Sequence, residues 1–147
     1  MNIAKSLLAS SAVLLMAGCA HHGGAAAGGG AATIAGSPPH PAVRFSTGRS
    51  SVRREDIFKV MENAAWLSGQ AGAQLVLAGH CDERGGKAMN LELGDRRARA
   101  VKAALMRAGV EDEARLVVVS FGEEKPLDAG HDESAWRKNR RVEFIAR

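Results

Sequence analysis

Apolar positions fall into three regimes along the chain. Leu7 to Ala17 is a short, nearly continuous apolar run, Ala20 to Val43 is mostly alanine and glycine, and from about Pro41 onward apolar residues alternate with charge. Only the third regime carries the periodicity of a folded domain. Ala42-Val43-Arg44-Phe45 predicts a short strand. Ile57, Met61, Ala64 and Ser68 recur at helical spacing between Arg54 and Gly69, predicting a helix that ends at the glycine. Residues 74–78 read as a buried strand closed by Gly79. A second helix follows from Asn90, a natural N-cap, to Ala108, with Gly109 as its stop. Residues 115–121, β-branched through Val117-Val118-Val119, predict a third strand. A loop containing Pro126 comes next, then one or two helical turns over 132–138 and a last strand over 142–145. Strands alternating with helices predict an α/β two-layer sandwich, with helices against one face of a small sheet.

Length and composition fit one such domain. The chain has 147 residues, 46% apolar, 24% charged and 4% aromatic. Two cysteines, Cys19 and Cys81, are too few for a disulfide framework or an all-cysteine zinc site. No stretch reaches the ~18 apolar residues of a membrane-spanning helix. The basic balance, with a sequence pI near 9.5, makes an anionic partner plausible without naming one.

Charge is also unevenly placed, since residues 1–43 contain one charged side chain, Lys5. A positive start, an apolar core from Leu7 to Ala17 and small residues at Gly18-Cys19 predict a secretory signal peptide over 1–18. Met16-Ala17-Gly18-Cys19 resembles a bacterial lipobox, which implies that Cys19 becomes the acylated first residue of the mature chain. Ala20, rather than an aspartate, follows it, which by the same resemblance implies onward transport to the outer membrane. Removing Lys5 takes the formal charge from +4 to +3. Acyl chains at about 0.8 kcal/mol per buried CH2 would anchor the protein on a bilayer without a span. Residues 19–40, ending in Ser37-Pro38-Pro39-His40, have too little large apolar surface to offset ordering entropy and predict a flexible linker. Such a linker spans about 25 Å as a coil and at most about 80 Å extended. His21 and His22 read as solvated linker residues. The folded domain is expected over 41–147.

Candidate chemistry gathers on the second helix. With Gly94 as the origin of a helical wheel, Ala98, Val101 and Leu105 fall within roughly 40° and form the core stripe. Asp95, Arg96, Arg99 and Lys102 point to solvent, whereas Arg97 flanks the stripe at about 60°. Arg97 is therefore the arginine expected to be partly buried, either pinned or laid along apolar surface. A pinned guanidinium suits a carboxylate, and Asp82, just past the second strand, is the natural neighbour. Together they could hold a zwitterion, or pair with each other.

Gly79-His80-x-Asp82-Glu83-Arg84-Gly85, followed by Asn90-x-x-Leu93-Gly94-x-Arg96-Arg97-Ala98-x-x-Val101, resembles the OmpA-like peptidoglycan-binding domain. Ser120-Phe121-Gly122-Glu123-Glu124-Lys125-Pro126, Gly130-His131-Asp132-Glu133 and Lys138-Asn139-Arg140-Arg141 look like its peptidoglycan-associated lipoprotein branch. The likeness runs from about Val43 to Ile145. It implies a mixed four-stranded sheet with helices on one face. It also implies a binding module rather than an enzyme, with no cofactor and no metal. The residues matching Asp82 and Arg97 grip the amino-acid end of meso-diaminopimelate in the peptidoglycan stem peptide, Leu93 lies beside them, and Asn90 and Arg84 complete the expected site. The implied partners are peptidoglycan, outer-membrane lipid through Cys19, and a TolB-like periplasmic protein of the Tol–Pal envelope and cell-division system. One departure stands out: after Phe45-Ser46-Thr47, Gly48 occupies the place of a family aspartate that helps line the ligand site.

Other chemistries suit these residues less well. His80 and Cys81 are adjacent, so in an extended segment they face opposite ways and cannot form a nucleophile–base pair. His80, Asp82 and His131 are conceivable metal ligands, with surface hydrogen bonding as the plainer role. The basic run from Arg137 to Arg141 invites a nucleic-acid reading, but no aromatic platform accompanies it, and a solvated strand entry, or a surface facing anionic envelope polymers, is expected instead. Besides the tether between outer membrane and cell wall, the sequence leaves open an envelope protein–protein interaction module with weak wall binding.

Overall fold

The computed structural model describes residues 36–147. The signal peptide, Cys19, His21, His22 and most of the linker lie outside the described residues. Four strands and three helices follow in the order β1 (Ala42–Arg44), α1 (Ile57–Ser68), β2 (Leu75–His80), α2 (Lys87–Arg107), β3 (Leu116–Gly122), α3 (Glu133–Asn139) and β4 (Arg141–Ala146). The sheet order is β1-β4-β2-β3. β2 and β3 run parallel, while β4 is antiparallel to both β1 and β2, so the sheet is mixed. This is the two-layer arrangement read from the alternation of periods.

β2 is buried along its whole length, consistent with a continuous apolar run between two neighbours. Leu75 and Leu77 face the helices, joined there by Val43, Val142 and Phe144 from the antiparallel strands and by Leu116 from β3. Ala98, Val101 and Leu105 of α2 close this core as the wheel predicts. α1 departs from its predicted stripe. Val60, Asn63, Ala64 and Leu67 are buried, whereas Ile57, Met61 and Ser68 are exposed, so the helix is rotated about its axis relative to that expectation. The α1 sequence is apolar on both sides, and periodicity alone does not distinguish them. The core is closed within residues 43–144, so the domain carries its own folding determinants.

α2 begins one turn earlier than predicted. Gly86 is its N-cap, and Asn90 lies within the helix rather than capping it. At the other end Gly109 adopts φ +107°, the left-handed conformation that stops a helix. α2 crosses β2 at very close range: a Cβ built on Gly79 would stand 2.0 Å from the Gly94 carbonyl oxygen. Only two glycines permit that approach, and it fixes how deep α2 holds its inward side chains. α3 is capped by Asp132, whose carboxylate accepts from the Ala135 N–H at 2.9 Å. Ahead of β1, the His40 N–H donates to Asn63 Oδ1 at 3.0 Å and Asn63 Nδ2 donates back to the His40 carbonyl at 2.9 Å. Residue 40 is thereby fastened to α1.

Candidate functional site

The loop after β2, the N-terminal half of α2 and the loop after β1 enclose a cavity of about 230 Å³. All five residues singled out from sequence line it: Asp82, Arg84, Asn90, Leu93 and Arg97. Thr47, Gly48, Cys81, Met89 and Arg96 complete much of the wall. Gly48 takes φ +65°, and a Cβ there would meet nothing within 4 Å.

Arg97 is fully buried at 0% exposure. Its Nε donates to the Arg49 carbonyl at 2.9 Å, Nη1 to the His80 carbonyl at 2.8 Å and Nη2 to the Ser46 carbonyl at 3.2 Å. Nη1 also reaches Cys81 Sγ at 3.3 Å, and the guanidinium lies 5.2 Å over the Phe45 ring. These bonds tie the loop after β1 to the end of β2. Among the described residues Arg97 makes no hydrogen bond to a carboxylate, so the alternative in which Arg97 and Asp82 simply pair with each other is not realised. Backbone carbonyls of two converging loops take its place. Burial lowers its pKa, and nearby Cys81 and Asp82 oppose that shift. It remains a cation, since no protein environment deprotonates arginine near neutrality.

Asp82 is held by two other arginines. Arg84 Nη2 donates to Oδ2 at 2.8 Å and Arg84 Nε to Oδ1 at 3.2 Å, while the Arg84 N–H closes a local turn onto Oδ1 at 3.1 Å. Arg140 Nη1 donates to Oδ2 at 3.0 Å. Burial pushes the Asp82 carboxyl up, but the hydrogen bonds from Arg84 and Arg140 outweigh it and hold the group below its ordinary value. Arg140 also donates from Nε to the Phe45 carbonyl at 3.1 Å and from Nη2 to Glu133 at 2.6 Å. Arg140 and Arg141 are both buried, which corrects the expectation of a solvated basic entry to the last strand. A signal for Arg140 was present: it shares the parity of Val142 and Phe144, so the alternation of β4 directs it to the helix side.

Asn90 reaches back from α2 to the Asp82 carbonyl at 3.2 Å and the Arg84 carbonyl at 3.3 Å, and Cys81 Sγ donates to the Asn90 carbonyl at 3.2 Å. Cys81 is a free, buried thiol whose pKa burial raises, with Arg97 partly opposing that shift. Arg96, expected to point well away from the site, is exposed and yet lines the pocket rim, paired with Glu92. Among the described lining residues the cavity therefore presents three guanidinium groups, from Arg84, Arg96 and Arg97, against the single carboxylate of Asp82.

The three conceivable metal ligands are not brought together. His80 faces the other side of the sheet, stacked on Phe121 with ring centroids 5.4 Å apart, Asp82 lies between its arginines, and His131 contacts Glu83.

A model described as the OmpA family matches residues 44–140. A protein of Legionella pneumophila named peptidoglycan-associated lipoprotein is 42% identical over 101 residues, covering 69% of this chain and 57% of that protein. A protein of Pseudomonas aeruginosa with the same name is 43% identical over 100 residues, covering 68% and 58%. The chain spans a little over half the length of these relatives. The crystal structure of the peptidoglycan-associated lipoprotein from Burkholderia pseudomallei superposes with a TM-score of 0.71 at 35% identity, covering 74% of this chain and 91% of that one. The C-terminal domain of Helicobacter pylori MotB, at 19% identity, shares the fold with a TM-score of 0.67 over 72% of this chain and 83% of that one.

Proposed function

The chain belongs to the OmpA family, in its peptidoglycan-associated lipoprotein branch, and from that premise we propose that it tethers the outer membrane to the cell wall. In this reading Cys19 is acylated and holds the protein on the periplasmic face of the outer membrane. Residues 19–40 supply the reach, and the domain from about residue 41 binds the peptidoglycan stem peptide at its meso-diaminopimelate residue. The protein acts as a structural component of the Tol–Pal system, with a TolB-like periplasmic protein as partner.

The observation that carries the reading is the pocket that gathers Asp82, Arg84, Asn90, Leu93 and Arg97 on one wall system. Its positive balance suits the carboxylates of a stem peptide. Arg97 supplies a fixed charge at the floor, Arg84 and Arg96 offer accessible donors at the rim, and Leu93 offers the methylene stem an apolar contact. Asp82 is the group available to an ammonium. Both of its oxygens already accept from arginines, and Gly48 adds no second carboxylate. That arrangement favours, as a second reading, a module whose main ligand is another envelope protein.

Sedimentation with purified peptidoglycan, in the presence of free meso-diaminopimelate, separates the two. Binding that the free amino acid competes away supports the tether. A domain that stays in the supernatant supports the interaction module.

A further inference from the structure

α1 is unusual in what it shows to solvent. Ile57, Phe58 and Met61 are 47%, 61% and 57% exposed, and Ala65 is exposed beside them. The charged residue on this arc, Glu62, is engaged by the His40 ring. A solvent face of that composition departs from the ordinary amphipathic pattern. α2 provides the contrast within the same molecule, since its outer face carries the ion pairs Glu92–Arg96 and Asp95–Arg99. Between the two helices lies an apolar groove of about 590 Å³, walled by Val52, Ile57, Met61, Ala104 and Ala108, with Arg107 at its edge. Arg107 and Arg54, the latter one turn before α1, make no ion pair among the described residues.

We propose that this face of α1 and its groove dock on the surface of an anionic lipid bilayer, as a second contact beside the acyl anchor. Two features select a lipid surface over other occupants. Apolar side chains flanked by unpaired arginines match the boundary between acyl chains and anionic headgroups. The chain also joins the domain at this helix: His40 is hydrogen-bonded both ways to Asn63, and its ring meets Phe58 edge-on with centroids 5.9 Å apart. Cys19 lies only 21 residues before His40, so an acyl anchor there would keep this helix within the linker's reach of a bilayer, at most about 80 Å. That last step rests on the acylation of Cys19, whereas the surface chemistry does not. The groove and the stem-peptide pocket share no lining residue, so substitutions in one leave the walls of the other intact.

The test uses a chain beginning at Ala20, which cannot be acylated, and vesicles of phosphatidylethanolamine with phosphatidylglycerol. It should co-sediment with them and bind phosphatidylcholine vesicles less. Phe58→Ser with Met61→Ser should weaken binding by about tenfold or more. Arg54→Gln with Arg107→Gln should weaken it as well, while Arg99→Ala, in a paired residue, should not. If the first pair disturbs the fold, the arginine pair decides the matter, since neither arginine belongs to the core. No sedimentation of the parent chain, or sedimentation of both double variants equal to the parent's, overturns the proposal. A dimer in analytical ultracentrifugation that the Phe58 and Met61 changes abolish also overturns it, in favour of a second copy. Mass spectrometry of Cys19 tests the anchor separately, so failure of the one reading is distinguishable from failure of the other.

Discussion

Arg140 Nη1 stands 3.0 Å from Asp82 Oδ2 although 58 positions separate them in sequence, and both side chains are buried. The carboxylate of the candidate site is thus held, together with Arg84, by the residue just before the last strand, not by the arginine on the neighbouring helix. Removing one member of a buried pair typically costs about 3–5 kcal/mol, of which the bonds that Arg84 keeps to Asp82 offset only a solvent-screened part. Arg140→Ala is therefore expected to lower the urea midpoint strongly and to weaken wall binding with it. Arg84→Ala removes donors from the same carboxylate but from a solvent-screened position, and should cost far less stability. Comparable losses from the two would show that Arg140 does not carry the carboxylate.

The burial of Arg97 changes what its removal can report. Arg97→Ala would remove the donors that serve the carbonyls of Ser46, Arg49 and His80. The Ser46 carbonyl keeps the Arg49 N–H at 3.1 Å, but each acceptor left unsatisfied costs about 1–3 kcal/mol, so fold and binding should fall together. Arg97→Lys keeps the charge and loses the planar fork, and is expected to retain more stability than the alanine variant. The matched charge control is Arg99, 69% exposed in its side chain and paired with Asp95, because Arg96 lines the rim. If wall binding were general attraction of a basic domain to an anionic polymer, Arg99→Ala would weaken it, the charge-conserving Arg97→Lys would not, and high salt would erase it. A shaped site reverses that order. Pelleting at two ionic strengths, with unfolding curves for each variant, distinguishes these outcomes.

Much of this arrangement was legible because short-range pattern determined it. The strand at Leu75 and Leu77, the stripe of Gly94, Ala98, Val101 and Leu105, and the stop at Gly109 each follow from period and from glycine stereochemistry. The partner of Asp82 was not legible from spacing. Arg97 and Arg140 both satisfy the rule that a guanidinium suits a carboxylate, and only the tertiary path of the loop at Ser46–Arg49 decides which one finds carbonyls instead. α1 is turned about its axis for a related reason. Ile57 and Met61 are as apolar as Val60 and Leu67, so the sequence holds no local contrast to tell the core side from the outer side.

His80 is expected to govern part of the acid sensitivity of the fold. Burial, reinforced by the Arg141 charge, pushes its pKa down to about 4, while Glu143 at 3.8 Å pulls weakly the other way. An unfolded chain binds the proton near 6.5, so between pH 6.5 and 4 the unfolded state holds more protons than the native one. The stabilising effect of keeping this ring neutral is present above pH 6.5 and is lost as the pH falls toward 4, to the extent of up to about 3 kcal/mol. Asp56 and Asp82, whose carboxyls are held below their ordinary values, lose their contributions only at lower pH still. His80→Gln should flatten the dependence of the urea midpoint between about pH 6.5 and 4. An unchanged slope in that variant would assign it to other groups.

Gly48→Asp is expected to tighten wall binding while weakening the fold. The cavity now offers an ammonium only Asp82, whose oxygens already accept from Arg84 and Arg140. A Cβ at residue 48 meets nothing within 4 Å, so an aspartate there can enter the pocket without displacing a neighbour. Its φ of +65° is a left-handed conformation that aspartate adopts more readily than most residues, at a cost of roughly 1–2 kcal/mol. That cost falls on folding, because residue 48 already holds φ +65° in the folded chain, and should appear as a drop of several degrees in Tm. A hydrogen bond between charged groups contributes about 1.5–3 kcal/mol, which at about 1.4 kcal/mol per decade corresponds to roughly tenfold or more in affinity. Competition by meso-diaminopimelate, measured for the parent and the variant alongside thermal unfolding, reads both effects. A variant less stable by that amount but with unchanged competition would mean that the ligand's ammonium does not reach the loop at Thr47 and Gly48, and that recognition rests on its carboxylates alone.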